Sequence, residues 1–305
     1  MNSISTLGRY RILAEIGRGG MGMVLRAHDP SLERTVAIRG LAPHLSGEQG
    51  FVERFLREAR AVSRLHHPNI IEIYDVGQDG SSYCFVMPCL EGPTLEQRIA
   101  GVGRLDLPEV LSIAQQLASA LDYAHSEGVV HRDVKPANVL FDSKGQAVLT
   151  DCGIARIAQE TKRTTMGGLI GSPEYMAPEQ ILGQAVNKRS DQYTLGILIF
   201  ELLAGRVPFD ADTATAILYR QVQESPPSLR SLCPQIPAGF EAALGRALAK
   251  APEQRYGSCR VFVTALAQGM STATEATVSP SLVHARTPSA IAPENACRVM
   301  RFARL

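Results

Sequence analysis

The chain has 305 residues, 45% hydrophobic and 20% charged, with a formal net charge of +1. That balance supports one large domain or two small ones with a sizeable core, and it excludes wholesale disorder and a general polyanion binder. Its six cysteines, at 84, 89, 152, 233, 259 and 297, form no CxxC pair and show no metal-ligand spacing, so they read as reduced thiols of a cytoplasmic protein.

The N-terminus shows no apolar leader, and no secretory signal is expected. The first ninety residues read as strands: "RYRILAEIG", "MVLRAHD" and "TVAIRG" are short β-like segments between Gly-rich or "DPSLE" turns. In "GFVERFLREARAVSRL", residues 50–65, apolar positions recur at helical spacing. "NIIEIYDVG" and "SYCFVMPCL" return to strand character, giving a mostly antiparallel sheet with one helix. Beyond residue 90 helices dominate. Residues 107–125 carry one apolar stripe, with Asp106 placed to cap the start, Pro108 in the first turn and Gly128 after the end. "NVLFDSKGQAVLTD" reads as two short strands around a turn, and helices follow at 189–204, 211–224 and 237–249. The most apolar run, "YTLGILIFELLAG", is too short to span a bilayer and reads as a buried helix. From about residue 270 a Ser/Thr/Ala/Pro-rich stretch marks a flexible tail. The outline is a small β-rich lobe and a larger helical lobe with a cleft between them.

Two stretches carry chemistry. "IGRGGMGMV" is G-x-G-x-x-G-x-V, with Gly17, Gly19, Gly22 and Val24. Glycines let backbone N–H groups approach phosphates, and here they join two strands, which disfavours a dinucleotide-binding βαβ reading. "HRDVKPANVL", residues 131–140, fills every position of H-R-D-x-K-x-x-N; "DCG" supplies Asp151 and "GSPEYMAPEQ" supplies Ala177-Pro178-Glu179. In this order and spacing the chain resembles the eukaryotic-like (Hanks-type) protein kinases, and within them the bacterial serine/threonine kinases, over roughly residues 8–268.

The resemblance implies an α+β, bilobal protein-kinase fold. Residues 1–9 would be an N-terminal extension, 10–268 the kinase domain with lobes of about 10–88 and 89–268, and 269–305 the tail. It implies ATP and Mg²⁺, protein substrates, phosphorylation of itself at Thr164 and Thr165, no nucleic acid and no membrane segment, and it allows a homodimer. Asp133 would accept or orient the substrate hydroxyl proton, Lys135 would lie near the γ-phosphate, and Asn138 and Asp151 would hold Mg²⁺. Ile16, Val24, Ala37 and Leu140 would enclose adenine, with Met87 as gatekeeper. Pro88 would offer its carbonyl and Leu90 its N–H to the base. His131 would be a packing residue, and Arg132 would pair with a phosphorylated loop. Glu179 would pair with Arg255, and Asp191 would brace the catalytic loop.

Two positions depart from the family. Arg39 stands where a lysine bridges the nucleotide phosphates to a helix glutamate, matched here by Glu58. A strand's two-residue period places Ala37 and Arg39 on one face. The arginine fork is expected to grip Glu58 and to reach phosphates poorly. Cys152 replaces a phenylalanine, and an unfilled void there would cost roughly 1–3 kcal/mol. The chain has 26 Arg and 5 Lys, so Arg39 also follows a general bias. Two main readings stay open, a kinase weakened by Arg39 and a nucleotide-binding pseudokinase acting as scaffold or regulator. The activation segment and its Ala-Pro-Glu disfavour a small-molecule phosphotransferase, and a binding module without nucleotide predicts no stabilisation by ATP.

Overall fold

A computed structural model describes residues 6–19, 22–41, 51–79, 82–152 and 172–275. In the first lobe, β1 (Thr6–Leu7), β2 (Tyr10–Gly19), β3 (Gly22–Asp29), β4 (Arg34–Leu41), β5 (Asp75–Asp79) and β6 (Ser82–Pro88) form one antiparallel sheet in the order β1-β2-β3-β4-β6-β5. Helix α1 (Phe51–Val62) is the helix expected over 50–65. One expectation needs correction. "NIIEIYDVG" is not a continuous strand, because the sheet strand begins at Asp75, just after a Tyr74 N–H that donates to the Val86 carbonyl at 2.7 Å. Upstream, Ile70 bridges Leu149 of the other lobe and the Ile71 N–H donates to the Leu149 carbonyl at 2.9 Å. The β-branched residues there serve an inter-lobe contact, which local propensity cannot distinguish from a sheet strand.

The second lobe contains α2 (Leu95–Val102), α3 (Leu107–Ser126), β7 (Val139–Phe141), β8 (Ala147–Leu149), α4 (Pro178–Ile181), α5 (Lys188–Ala204), α6 (Ala214–Gln223), α7 (Leu229–Leu232), α8 (Ala238–Ala247) and α9 (Cys259–Glu275). Asp106 caps α3, accepting from the Glu109 N–H at 2.8 Å, and Gly128 past its end has φ 77°. Helix α5 is buried on all sides from Ser190 to Phe200, and its mainly apolar run from Tyr193 onward has no polar face to turn to solvent. Its Glu201 is accommodated by Tyr175, whose hydroxyl donates to Oε2 at 2.6 Å, and burial raises the carboxyl pKa.

The last helix extends through residues 269–275, where the sequence suggested tail. Packing explains the extension. At Gly269 a Cβ would lie 2.4 Å from the Gly239 backbone, so α8 and α9 approach closely there, and Met270 packs on the core. Replacing Gly269 with alanine is expected to destabilise the protein by about 1–3 kcal/mol, read in denaturant unfolding. Among the described residues no helix is long and apolar enough to cross a membrane.

Candidate active site

The loop between α3 and β7 is held from below by a buried carboxylate. Asp191, at 0% exposure near the start of α5, accepts the N–H groups of His131 at 2.8 Å and Arg132 at 2.7 Å. Its Oδ2 also lies 2.7 Å from His125 Nε2 at the end of α3. Burial raises the Asp191 pKa, but hydrogen bonding and charge from His125 outweigh it and leave the carboxyl below its ordinary value. Burial likewise depresses His125, yet Asp122 and Asp191 on either side hold its pKa up at about 9. The motif-based reading anticipated Asp191 as the brace and missed His125. The visible signal was a histidine in the last turn of a helix.

His131 is fully buried. Its Nδ1 accepts from the Asp133 N–H at 3.2 Å, and its Nε2 lies 2.8 Å from the Thr150 carbonyl. An N–H can only donate and a carbonyl can only accept, so the ring is a neutral packing residue that ties Asp133 to the strand leading to Asp151. Arg132 and Asp151 have φ of 71° and 63°, a left-handed conformation disfavoured for residues with a Cβ and typical of segments overdetermined by their surroundings.

Around Asp133 the side chains converge. Oδ2 accepts from Asn138 Nδ2 at 2.8 Å and pairs with Lys135 Nζ at 2.9 Å. Lys135 Nζ also reaches Ser172 Oγ at 3.4 Å, a contact that sequence reasoning did not foresee. Asn138 Nδ2 donates a second time, to the Asp133 carbonyl at 2.8 Å. With both amide hydrogens directed at Asp133, Asn138 Oδ1 is left as the acceptor facing elsewhere. An amide oxygen and the Asp151 carboxylate are the hard oxygen donors that suit Mg²⁺, so the residues fit that ion.

The sheet supplies the roof of the cleft. Gly17 pairs with Val24 and Gly19 with Gly22, making the glycine-rich segment a hairpin as expected, with residues 20 and 21 outside the described set. Ala37 pairs with Met87 and Val36 with Pro88, placing β4 beside the segment that joins the lobes. Ile16 is 52% exposed at the edge, while Leu90 and Leu140 are half-buried. Gly92 seats the connector on β7, since a Cβ there would lie 2.2 Å from the Phe141 carbonyl oxygen.

Arg39 lies on the same face as Ala37, and its guanidinium Nη1 pairs with Asp151 Oδ2 in a short, mostly buried contact. No motif in the sequence announces this partner. Glu58 lies on α1 with its side chain outside the described residues, and so do Thr164 and Thr165. Arg18, near the glycine-rich segment, is engaged by Glu15 through two hydrogen bonds of 2.7 and 2.8 Å.

Cys152 is 1% exposed beside a cavity of about 20 Å³ that Arg39, Phe85, Met87 and Asp151 also line. The void left by the small residue is therefore mostly refilled, with room for about one water. Cys152→Val is expected to raise stability by up to about 1 kcal/mol. Cys152→Phe would overfill the site at a cost of about 1–3 kcal/mol, and the sign of the melting-point shift tells the two apart.

Further down, Glu179 and Arg255 form the expected pair, two hydrogen bonds of 2.8 and 2.9 Å with both side chains buried. The fork-on-fork geometry anchors α4 to the segment before α9.

Comparisons with known proteins agree with this architecture. The chain is 43% identical over 249 residues to the serine/threonine-protein kinase PrkC of Bacillus subtilis, covering 82% of this chain and 38% of that protein. It is 42% identical over 264 residues to the probable serine/threonine-protein kinase PknB of Lactococcus lactis, covering 86% and 42%. The chain thus spans about two fifths of the length of these curated relatives. The crystal structure of the Mycobacterium tuberculosis PknI kinase domain superposes with a TM-score of 0.73 at 33% identity, covering 88% of this chain and 99% of that one. A sequence model described as the protein kinase domain matches residues 10–266, which spans both lobes and every motif described above, and the chain belongs to that family.

Proposed function

We propose that this chain is a serine/threonine protein kinase that transfers the γ-phosphate of ATP to Ser or Thr hydroxyls of proteins. The observation that carries the reading is the Asp133 carboxylate, fixed between Lys135 Nζ at 2.9 Å and Asn138 Nδ2 at 2.8 Å. Phosphoryl transfer asks mainly for positioning and charge neutralisation. Asp133 would accept the hydroxyl proton, and Lys135 would place a positive charge beside the transferring group. Asn138 Oδ1 and Asp151 would hold Mg²⁺, which supplies neutralisation of phosphate charge when bound. Val24, Ala37 and Leu140 would enclose adenine, with the Leu90 N–H as donor. Thr164 and Thr165 are the sites proposed for self-phosphorylation, with Arg132 as the partner of that phosphate, and a homodimer would allow the reaction in trans. The free thiols of Cys84, Cys89, Cys152, Cys233 and Cys259 support a reducing, cytoplasmic setting.

A second reading is favoured by one contact. The Arg39 guanidinium occupies an oxygen of Asp151, so a pseudokinase that keeps nucleotide but lacks turnover competes with the enzyme. The deciding experiment follows labelled γ-phosphate from ATP with Mg²⁺ onto the chain and onto a generic protein acceptor, alongside melting curves with nucleotide. Transfer supports the kinase. Stabilisation by nucleotide without transfer, also after Arg39→Lys, supports the pseudokinase. Neither would remove both readings.

A further inference from the structure

Below the catalytic loop, α3 and α9 bring together Asp122, His125 and Cys259. Among the described residues this is the one group of His, Cys, Asp or Glu side chains whose potential ligand atoms, one from each, all lie within 4.8 Å of one another. We infer that these three side chains form a zinc site that clamps α3 to α9 beneath the catalytic loop.

Three observations carry it. First, among the described residues His125 Nδ1 makes no hydrogen bond and has only the Asp122 carboxylate at ion-pair distance. Its side chain is 6% exposed, its Nε2 is engaged by Asp191 at 2.7 Å, and its buried Nδ1 has no hydrogen-bond partner among the described residues. Asp122 Oδ1 stands 3.8 Å from Nδ1, outside hydrogen-bond reach but on the same side of the ring. A buried nitrogen without a hydrogen bond is costly, and a cation seated between Nδ1 and Oδ1 would satisfy it. Second, the Asp191–His125 contact is the arrangement by which a carboxylate orients a metal-binding imidazole and raises its basicity. Third, the donor set is mixed: imidazole nitrogen, carboxylate oxygen and the sulfur of Cys259. Nitrogen and sulfur donors suit Zn²⁺ and disfavour Mg²⁺ or Ca²⁺.

The local build places the ligands firmly. Asp122 receives the N–H groups of Cys259 and Arg260 at 2.9 Å each, one on each oxygen, so it caps α9 and retains further lone pairs. Cys259 begins that helix and is fully buried, while Asp122 keeps 17% of its side chain exposed as a route of entry. Tetrahedral zinc with bonds of about 2.0–2.3 Å would draw the ligand atoms together by about 1 Å, within side-chain rotation. Binding releases the thiol proton and any proton on Nδ1 to solvent, with no change of oxidation state. Cys259 is distant in sequence from Asp122 and His125, which stand three residues apart, so no metal-ligand spacing pattern announces the site.

The test uses the whole chain, stripped by a chelator, kept reduced with a phosphine and titrated with Co²⁺. A thiolate-to-cobalt charge-transfer band with visible bands of tetrahedral intensity is expected, both bleached by Zn²⁺, and Zn²⁺ should raise the melting temperature. Cys259→Ala should abolish the bands and the zinc-dependent shift, whereas Cys233→Ala, at a buried thiol elsewhere, should keep them. X-ray absorption on the zinc-loaded wild type needs no variant and should give one sulfur at about 2.3 Å with nitrogen and oxygen at about 2.0–2.2 Å. Absence of the bands, their survival in Cys259→Ala, or a shell without sulfur or with two would overturn the site.

Discussion

Exchanging Arg39 for lysine is expected to raise the rate of phosphoryl transfer on the order of a hundredfold and to lower the Mg²⁺ concentration needed for half-maximal rate. The gain follows from shape. Arginine and lysine bring the same charge to β4, but the planar guanidinium matches a carboxylate, and it pairs with Asp151 Oδ2 across 112 residues of sequence. That oxygen belongs to one of the two side chains proposed for Mg²⁺. The pair is mostly buried, with side-chain exposures of 23% and 12%, so solvent screens it weakly, and the ion must displace a favourable contact to bind. Lysine carries its charge as a compact ammonium on a flexible stem and holds no second nitrogen in a fixed fork. A hundredfold change corresponds to about 2.7 kcal/mol in the barrier, the size of one strong charge-assisted contact. Single-turnover transfer across a Mg²⁺ titration separates the two effects. An unchanged rate and an unchanged Mg²⁺ requirement in Arg39→Lys would show that the Asp151 contact does not limit the reaction.

The loop from His131 to Asn138 was recognisable because its motif occupies eight consecutive positions, and the family resemblance rested on them. The Glu179–Arg255 pair and the Asp191 brace were also anticipated, although their partners are far apart, because they came with the family resemblance. What escaped were contacts outside those motifs. Arg39 also meets Asp151, a second carboxylate that nothing in "TVAIRG" announces. His125 fell at the end of the helix expected over 107–125 and was given no role there, though it stands between Asp122 and Asp191. The segment 69–74 looked like a sheet strand because β-branched residues fit any half-buried extended backbone, and only the opposite lobe decides its partner. Propensity and period describe one element at a time, while these features depend on which second element arrives.

Replacing Asp133 with asparagine is expected to lower phosphoryl transfer by about 10²- to 10⁴-fold while leaving nucleotide binding and folding nearly intact. The substitution keeps the size of the side chain and an oxygen able to accept from Asn138 Nδ2, now 2.8 Å from Oδ2, so the loop retains its internal hydrogen bond. It removes the negative charge paired with Lys135 Nζ and the carboxylate proposed to take the hydroxyl proton. Melting curves with ATP and Mg²⁺ should therefore match those of the wild type, which separates lost chemistry from lost binding. The double variant is the sharper measurement. If Arg39 limits the rate by holding Asp151, and Asp133 carries the proton transfer, then Arg39→Lys cannot rescue Asp133→Asn. The hundredfold gain should collapse to background in the double variant, because a better-seated phosphate still meets an unactivated hydroxyl. Survival of the gain in the absence of the Asp133 carboxylate would mean that the proton leaves by another route and that Asp133 serves only to position Lys135 and Asn138.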